Sequence, residues 1–140
     1  MVKISRKLIF IAIFLLAALA WPQEQPEEMQ VLKPGERFQV GEGIYGEWEF
    51  SQKPQIGMVI LKIQLFDADG KKLSSLAISG DSGMPSMPGH HDTGAVAFTL
   101  NKKMNYLLPV NVVMPGDWAV KLVFRRGEKI LLRAAIHFDV

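Results

Sequence analysis

The chain has no cysteine among its 140 residues. This absence excludes a framework of disulfide bonds and a lipid-anchored bacterial cysteine, because both need a cysteine sulfur. It also leaves methionine sulfur and histidine nitrogen as the soft or borderline metal ligands that the chain can offer. A chain without thiols suits an oxidising compartment outside the cytoplasm.

The chain also has little net charge. Its formal charge is +2, and three of the cations, Lys3, Arg6 and Lys7, lie within the first ten residues. Without those three the rest of the chain has a formal charge of −1. A protein that binds the phosphate backbone needs a sizeable basic surface, which this composition does not provide. The balance of charge therefore argues against nucleic acid as a partner.

One hydrophobic run stands apart from the rest. It comprises thirteen apolar residues at 8–20, follows the basic start and ends in Ala-Leu-Ala. This arrangement predicts a secretory signal peptide over residues 1–20 that is cleaved after Ala20. A membrane-spanning helix needs about 20 apolar residues, so the run is short for that role. We therefore expect export to the periplasm or cell envelope, with an uncleaved membrane anchor as the alternative.

The exported part divides into a short tether and one domain. Residues 21–30 are rich in Pro, Gln and Glu and have no hydrophobic period, which predicts a disordered tether. Residues 31–140 have a length typical of a single domain. They also lack any helical period of useful length.

Short alternating runs separated by turn residues fill this domain. In the run 58–66, Val59, Leu61, Ile63 and Leu65 share one face. Trp118 shares a face with the apolar residues two, four and six positions later, and we expect it to be buried. Other strands are predicted at 37–40, 45–50, 72–78, 95–100, 106–114 and 130–140. The pattern predicts an all-β, immunoglobulin-like antiparallel β-sandwich of about seven strands.

A loop predicted over residues 79–94 carries a concentration of metal ligands. Thioether and neutral imidazole are good ligands for copper, Cu(I) in particular, whereas Mg and Ca prefer oxygen. The prolines at 85 and 88 discourage helix and stiffen the loop, which we expect to be exposed with both thioethers accessible. The sequence therefore predicts a copper site, with Cu(I) favoured over Cu(II), at Met84, Met87, His90 and His91.

Each candidate ligand also has a structural interpretation. The loop as a whole can be an ordinary connection, and adjacent histidines point apart in extended chain, so one of His90 and His91 joins a given metal. Met58, Met104 and Met114 fit packing positions. His137 faces outward on the last predicted strand, and Met29 falls in the tether.

The sequence does not indicate an enzyme. Gly-Asp-Ser-Gly at residues 80–83 looks like the nucleophile stretch of chymotrypsin-type proteases. That family has its catalytic histidine upstream of the serine, and no histidine precedes Ser82. We therefore expect no catalytic residues and no small-molecule substrate.

The order of several short motifs resembles one family. They are Pro-Gln-Ile-Gly at 54–57, Asp-Ala-Asp-Gly-Lys at 67–71, the Met-Pro-His loop at 84–91, Tyr106, and Met-Pro-Gly-Asp-Trp at 114–118. Together they resemble the YtkA-like domains, which are similar to the periplasmic part of FixH-type proteins. The resemblance implies an exported β-sandwich, often encoded with copper-handling or oxidase-assembly machinery, and a role in metal binding or delivery. FixH-type proteins usually keep a membrane anchor, from which the short apolar run here departs.

Two functions of different class follow. The first is an exported metal-binding protein, a metallochaperone that holds copper in the Met/His loop and passes it to a copper-accepting or membrane protein. The second is a metal-free periplasmic interaction or accessory module that docks on a membrane or envelope complex, with the Met-rich loop as an adaptable apolar contact.

Overall fold

A computed structural model describes residues 28–140 of the chain. The predicted signal peptide and residues 21–27 of the predicted tether lie outside these residues. Within them, eleven strands form two sheets. The strands are β1 (Gln30–Val31), β2 (Phe38–Gly41), β3 (Ile44–Phe50), β4 (Gly57–Asp67), β5 (Lys72–Leu73), β6 (Ala77–Gly83), β7 (Val96–Ala97), β8 (Thr99–Leu100), β9 (Tyr106–Val112), β10 (Asp117–Arg126) and β11 (Lys129–Asp139).

The two sheets pack face to face around one core. The first sheet has the strand order β1-β11-β10-β6-β7, and the second has the order β2-β3-β4-β9-β8, with β5 also paired to β4. A single hydrophobic cluster takes its members from both sheets. The prediction of an all-β sandwich is confirmed. Its pairings are antiparallel except that of β1 with β11, which is parallel.

Alternation along the strands builds this core. Val59, Leu61, Ile63 and Leu65 on β4 are fully buried, as the sequence predicts. Burying each such side chain stabilises the fold by about 1.5–3 kcal/mol. On β10 the predicted inward position of Trp118 is also confirmed, because only 1% of its surface is exposed.

The predicted strand over residues 72–78 is wrong as a single element. The chain leaves the second sheet after β5 and enters the first sheet at β6, so the two halves pair with different partners, β4 and β10. Leu76, between them, is buried in the core. Both halves bury apolar residues in the same core, so the apolar pattern is unbroken between them. The sequence pattern therefore does not show that the chain passes from one sheet to the other.

The predicted loop also begins too early. Residues 79–83 belong to β6, in the interior of the first sheet. Glycine, serine and aspartate are depleted in strands, which is why the sequence favours a loop here. Close packing explains the small residue at position 80: a Cβ on Gly80 would lie 2.6 Å from Leu108 Cδ2 of β9.

Three smaller expectations are corrected. The predicted strand over 95–100 is two short strands in different sheets, β7 and β8, with buried Phe98 between them. Met58 fits a packing position by sequence, but 56% of its surface is exposed because it lies on the opposite face of β4 from Val59. At the end of the predicted tether, Gln30 already pairs with Ala134 of β11.

Several strands begin or finish at one end of the sandwich. Gly83, at the end of β6, lies opposite Ala119, near the start of β10. The pairing of Asp117 with Asp139 shows that β11 finishes at the same end. We call it the Met/His end, because the loop that follows β6 lies there. Within residues 28–140, no helix has the length and apolar character needed to cross a membrane.

Candidate functional site

The Met/His loop, residues 84–91, is folded into two consecutive turns. The N–H of Met87 donates to the carbonyl of Met84 at 3.0 Å, and the N–H of His90 donates to the carbonyl of Met87 at 3.3 Å. A proline follows the first residue of each turn, the position where its fixed φ is favoured. Gly89 has a φ of 81°, a left-handed conformation that suits glycine. The prolines and glycine therefore define the path of the loop.

Two contacts attach the loop to the first sheet. The backbone N–H of Ser86 donates to Asp117 Oδ2 at 3.1 Å, and the Ser86 hydroxyl donates to Asp117 Oδ1. Further along, the N–H of Ser82 donates to the hydroxyl of Thr93 at 3.1 Å, and the N–H of Thr93 donates to the carbonyl of Ser82 at 3.0 Å. The loop is thus held at its start and just after its end.

The contact with Ser86 changes the acidity of Asp117. Hydrogen bonds from the Ser86 side chain favour the charged carboxylate and hold the pKa of Asp117 below its ordinary value, and the nearby His137 acts in the same direction. The carboxylate therefore remains ionised, and remains an acceptor for Ser86, at mildly acidic pH.

Met84 is a core residue. Only 3% of its surface is exposed, which corrects the expectation that the loop exposes both thioethers. The inward face of β6, which includes Ser82, continues by alternation to position 84. The side chain reaches Gly116, where a Cβ would lie 2.7 Å from Met84 Cε.

Two further methionines pack against the core. Met87 and Met114 are half-buried and pack against the same core cluster that contains Met84. The prediction that Met114 packs is confirmed. The Met87 and Met114 side chains are therefore partly accessible to solvent, whereas the Met84 side chain is not.

The two adjacent histidines have different surroundings. His90 is exposed, whereas His91 is half-buried with its ring centroid 6.2 Å from that of Trp118 and the two planes inclined by 35°. Of the four predicted ligands, Met84 is buried, Met87 and His91 are half-buried, and His90 is exposed.

Met29 and His137 lie at a cavity that Met84 also lines. This cavity has a volume of about 270 Å³ and lies over the first sheet, where Ala119 and Ala135 belong to the face that points away from the core. Pro85 of the Met/His loop closes one side of it. His137 is exposed, as the sequence predicts.

The chemistry of the site is set by sulfur and imidazole. Among residues 28–140 there is no group of three or more His, Cys, Asp or Glu side chains placed to hold a metal ion. Thioethers beside an imidazole are a donor set that favours Cu(I) over Zn, Mg or Ca.

Sequence reasoning does not assign three residues of this site. Asp117 holds the loop, Gly116 leaves room for Met84, and Trp118 contacts His91, yet the sequence indicates all three only as a turn or as core. The Pro-Gly-Asp-Trp stretch is visible in the sequence, but its proximity to residues 84–91 depends on the pairing of β6 with β10.

Comparison with known proteins adds no assignment. This chain matches no family model, no curated protein and no solved structure.

Proposed function

We propose that this chain is an exported copper-binding protein that holds Cu(I) at Met84, Met87 and His91 and transfers it to a partner protein. The observation that supports the proposal is that these three side chains belong to one loop at the Met/His end, where Met84 and Met87 pack against the core and the His91 ring lies beside Trp118. Thioether and neutral imidazole are ligands that Cu(I) favours.

Differences in exposure favour transfer over permanent storage. Met84 is buried, Met87 and His91 are half-buried, and His90 is exposed. The exposure of the candidate ligands thus increases from Met84 through Met87 and His91 to His90. In the proposed route an acceptor replaces the outer ligands first, with His90 as an additional donor while the ion enters or leaves.

The broader assignment belongs to the same proposal. We infer an immunoglobulin-like topology of about seven principal strands, membership of the YtkA-like domains, and secretion to the periplasm or cell envelope with cleavage after Ala20. Binding, without catalysis or a small-molecule substrate, is the activity that we infer. These inferences rest on the motifs at 54–57, 67–71, 84–91 and 114–118 and on the basic start followed by an apolar run.

A second candidate function is docking on an envelope complex without metal. Ile56, Met58 and Val113 are exposed large apolar side chains at the ends of β4 and β9. The pairing of Gly57 with Val112 brings them to the Met/His end. Apolar side chains gathered at one edge favour a protein contact there.

Replacing sulfur without changing volume tests copper binding. In a Met84→Leu, Met87→Leu variant we expect Cu(I) affinity, measured by competition with a chromophoric chelator, to fall at least tenfold because each thioether ligand is lost. The free energy of unfolding without metal should change by less than about 1.5 kcal/mol, since leucine nearly conserves the apolar volume. Met104→Leu is the matched control, because Met104 lies before the start of β9, at the opposite end of this strand from the Met/His end, and it should bind as the wild type does.

The dependence on pH identifies the imidazole. A metal-bound imidazole must be unprotonated, so Cu(I) affinity should weaken as the solution is made acidic and protons compete with the ion for the imidazole nitrogen. His91→Ala should reduce affinity and remove this dependence, whereas His90→Ala should retain it. Cu(I) affinity that is unaltered in a variant lacking Met84, Met87, His90 and His91 contradicts the proposal, and weaker partner binding in an Ile56→Ser, Met58→Ser variant then supports docking.

A further inference from the structure

One side of the sandwich has two open strand edges. In the second sheet, β2 pairs with β3 only as far as Gly46, so residues 47–50 have β4 on one side and no described strand on the other. In the first sheet, β1 pairs with β11 at Ala134 and Ala135, and residues 136–139 extend beyond this pairing. An open edge has backbone groups to which another strand can bind.

The hydrogen bonds of β3 show which backbone groups are unpaired. The Ser51 N–H donates to the Ile60 carbonyl of β4 at 2.8 Å. Backbone groups of successive residues in a strand point to opposite sides, so those of Trp48 and Phe50 point away from β4, to the side that β2 does not reach. An extended segment laid along residues 47–50 can therefore pair with Trp48 and Phe50.

An aromatic groove lies beside this edge. A mostly apolar cavity of about 530 Å³ takes its walls from both open edges, and they include Trp48, Phe50 and Phe138. The ring centroids lie 5.7 Å apart for Trp48 and Phe50 and 4.8 Å apart for Phe50 and Phe138. A second cavity, of about 260 Å³, shares Trp48 and Glu49 with the first and extends the groove to Glu36.

Trp48 has an unpartnered donor at this groove. Its side chain is 9% exposed, and its indole N–H has no hydrogen-bond partner among residues 28–140. Buried N–H groups in native proteins nearly always have an acceptor, so this one needs an explanation. A carbonyl of a segment lying in the groove supplies the missing acceptor.

The charges beside the groove favour a basic occupant. Glu47 and Glu49 lie on the solvent-facing side of β3, and Glu36 lies beside them. Arg37 pairs with Glu47 and Lys62 pairs with Glu49, whereas Glu36 has no ion pair within the described part of the chain. Two copies of this chain joined along this edge place like charges opposite each other, which is unfavourable. A segment with positive charges complements the edge instead.

We propose that the aromatic groove binds an extended, basic segment of a partner protein, which adds a strand to the open edge of β3. Side chains of that segment alternate: apolar ones enter the groove, and lysine or arginine ones face Glu36, Glu47 and Glu49. Its backbone pairs with Trp48 and Phe50, and one of its carbonyls accepts from the Trp48 indole. This interaction surface does not depend on copper binding.

Synthetic peptides test the proposal on the exported protein. The probe is a short peptide that alternates lysine and valine, and calorimetry measures its affinity. We expect it to bind at least about tenfold more tightly than a peptide with glutamate in place of lysine, because the edge is acidic. A peptide of the same composition with its lysines in one block should also bind at least about fivefold more weakly, since it lacks the alternation that a strand needs.

Variants locate the binding site. Glu36→Lys, Glu49→Lys should weaken binding of the lysine peptide about tenfold and strengthen binding of the glutamate peptide. Glu128→Lys, an exposed change in the turn between β10 and β11, is the matched control and should change neither affinity more than about twofold. Trp48→Phe keeps a ring but removes the indole N–H, and it should weaken peptide binding about 3- to 10-fold.

NMR follows the Trp48 indole directly. Its N–H resonance should shift and exchange more slowly with solvent when the lysine peptide saturates the protein, whereas the Trp118 indole, which already donates to Met114, should not respond. These changes, with the charge-reversed selectivity, support the proposal. It is overturned if the wild type binds no peptide, if the alternating and block peptides bind equally, or if the Trp48 resonance stays unchanged at saturation. A dimer that excludes the peptide identifies a second copy as the occupant and also overturns it.

Discussion

Gly116 is under two independent constraints. Its φ is 137°, in the region that disfavours residues with a Cβ, and a Cβ there would lie 2.7 Å from Met84 Cε. Its backbone also exchanges hydrogen bonds with Val140 at 2.9 and 3.0 Å, so it cannot move freely. The position of the Met84 side chain therefore depends on the absence of a side chain two residues before Trp118.

Gly116→Ala should destabilise the domain through both constraints. We expect a loss of about 1–3 kcal/mol in the free energy of unfolding, measured with urea, because overpacking adds to backbone strain. Cu(I) affinity should also fall, since the displaced Met84 sulfur no longer points to the site.

A matched glycine separates strain from overpacking. Gly57 has a φ of 112°, which is close to that of Gly116, and a Cβ at this position would meet no atom within 4 Å, so Gly57→Ala measures backbone strain without a clash. The effect of Gly116→Ala should also shrink when Met84 is replaced by alanine. Equal losses in Gly116→Ala with and without Met84 contradict the proposed contact.

The hydrogen bonds from Ser86 to Asp117 lead to a prediction about the pKa of Asp117. Because the Ser86 side chain is the largest cause of the lowered pKa of Asp117, Ser86→Ala should raise that pKa toward the ordinary range near ~4. The backbone N–H of position 86 remains a donor, so the rise should be partial. Titration by NMR measures it, with Ser75→Ala, an exposed serine outside the loop, as the control.

The same contact fixes the direction of the pH effect on the loop. A carboxyl whose pKa is lower in the folded protein stabilises the fold above its unfolded pKa, and this contribution is lost as the pH falls through the folded pKa. The loop attachment should therefore be intact at neutral pH and weaken only in acid. An unchanged Asp117 titration in Ser86→Ala would show that another group sets its pKa.

At the scale of the element, the segment that connects β5 of one sheet to β6 of the other accepts a hydrogen bond from a buried hydroxyl group. Tyr106, on β9 of the second sheet, donates its hydroxyl to the carbonyl of Leu76 at 2.7 Å. Leu76 lies between two strands that belong to different sheets. The bond thus satisfies a backbone carbonyl at the point where the chain leaves one sheet for the other.

Tyr106→Phe should destabilise the domain by about 1–3 kcal/mol, because the Leu76 carbonyl loses its partner in a buried place. Burial also raises the pKa of Tyr106. The stability that the neutral phenol provides is complete below the ordinary tyrosine pKa near ~10 and is lost as the pH rises through the folded value. The difference in the free energy of unfolding between wild type and Tyr106→Phe should therefore become smaller at strongly alkaline pH.

Urea unfolding at neutral and alkaline pH measures both effects. Tyr45→Phe is the control, because Tyr45 is exposed on β3 and should change stability by less than about 0.5 kcal/mol. A Tyr106 variant as stable as the wild type at neutral pH would mean that the Leu76 carbonyl finds another partner.

The elements show how far the sequence predicts this structure. Alternation predicts β4 and β10 with the correct inward face, because each buries one face against the opposite sheet. It does not predict β6, since Gly80 and Ser82 are small for packing reasons that lie on another strand. For the site, composition indicates the Met/His loop, but the burial of Met84 and the position of Trp118 beside His91 require the tertiary pairing.

At the scale of the whole molecule, the proposed secretion leads to a prediction about the first residue of the exported protein. With cleavage after Ala20, protein recovered from the cell envelope should begin at Trp21 and have a formal charge of −1. N-terminal sequencing and intact mass measure this, and Ala20→Arg, which disturbs the cleavage site, is the variant for comparison. Full-length chain found only in membranes would identify an anchor.

The parallel pairing of β1 with β11 has a consequence for when this domain can fold. Gln30 and Val31, among the first described residues, complete their hydrogen bonds with Ala134 and Ala135, close to the carboxyl end. A ribosome delivers residue 134 about a hundred positions after residue 30. The first sheet therefore stays incomplete until β11 has been synthesised, and pairings of this separation form slowly. In the proposed export, the nascent chain remains threadable through a translocation pore until β11 has emerged, and the sandwich closes only then.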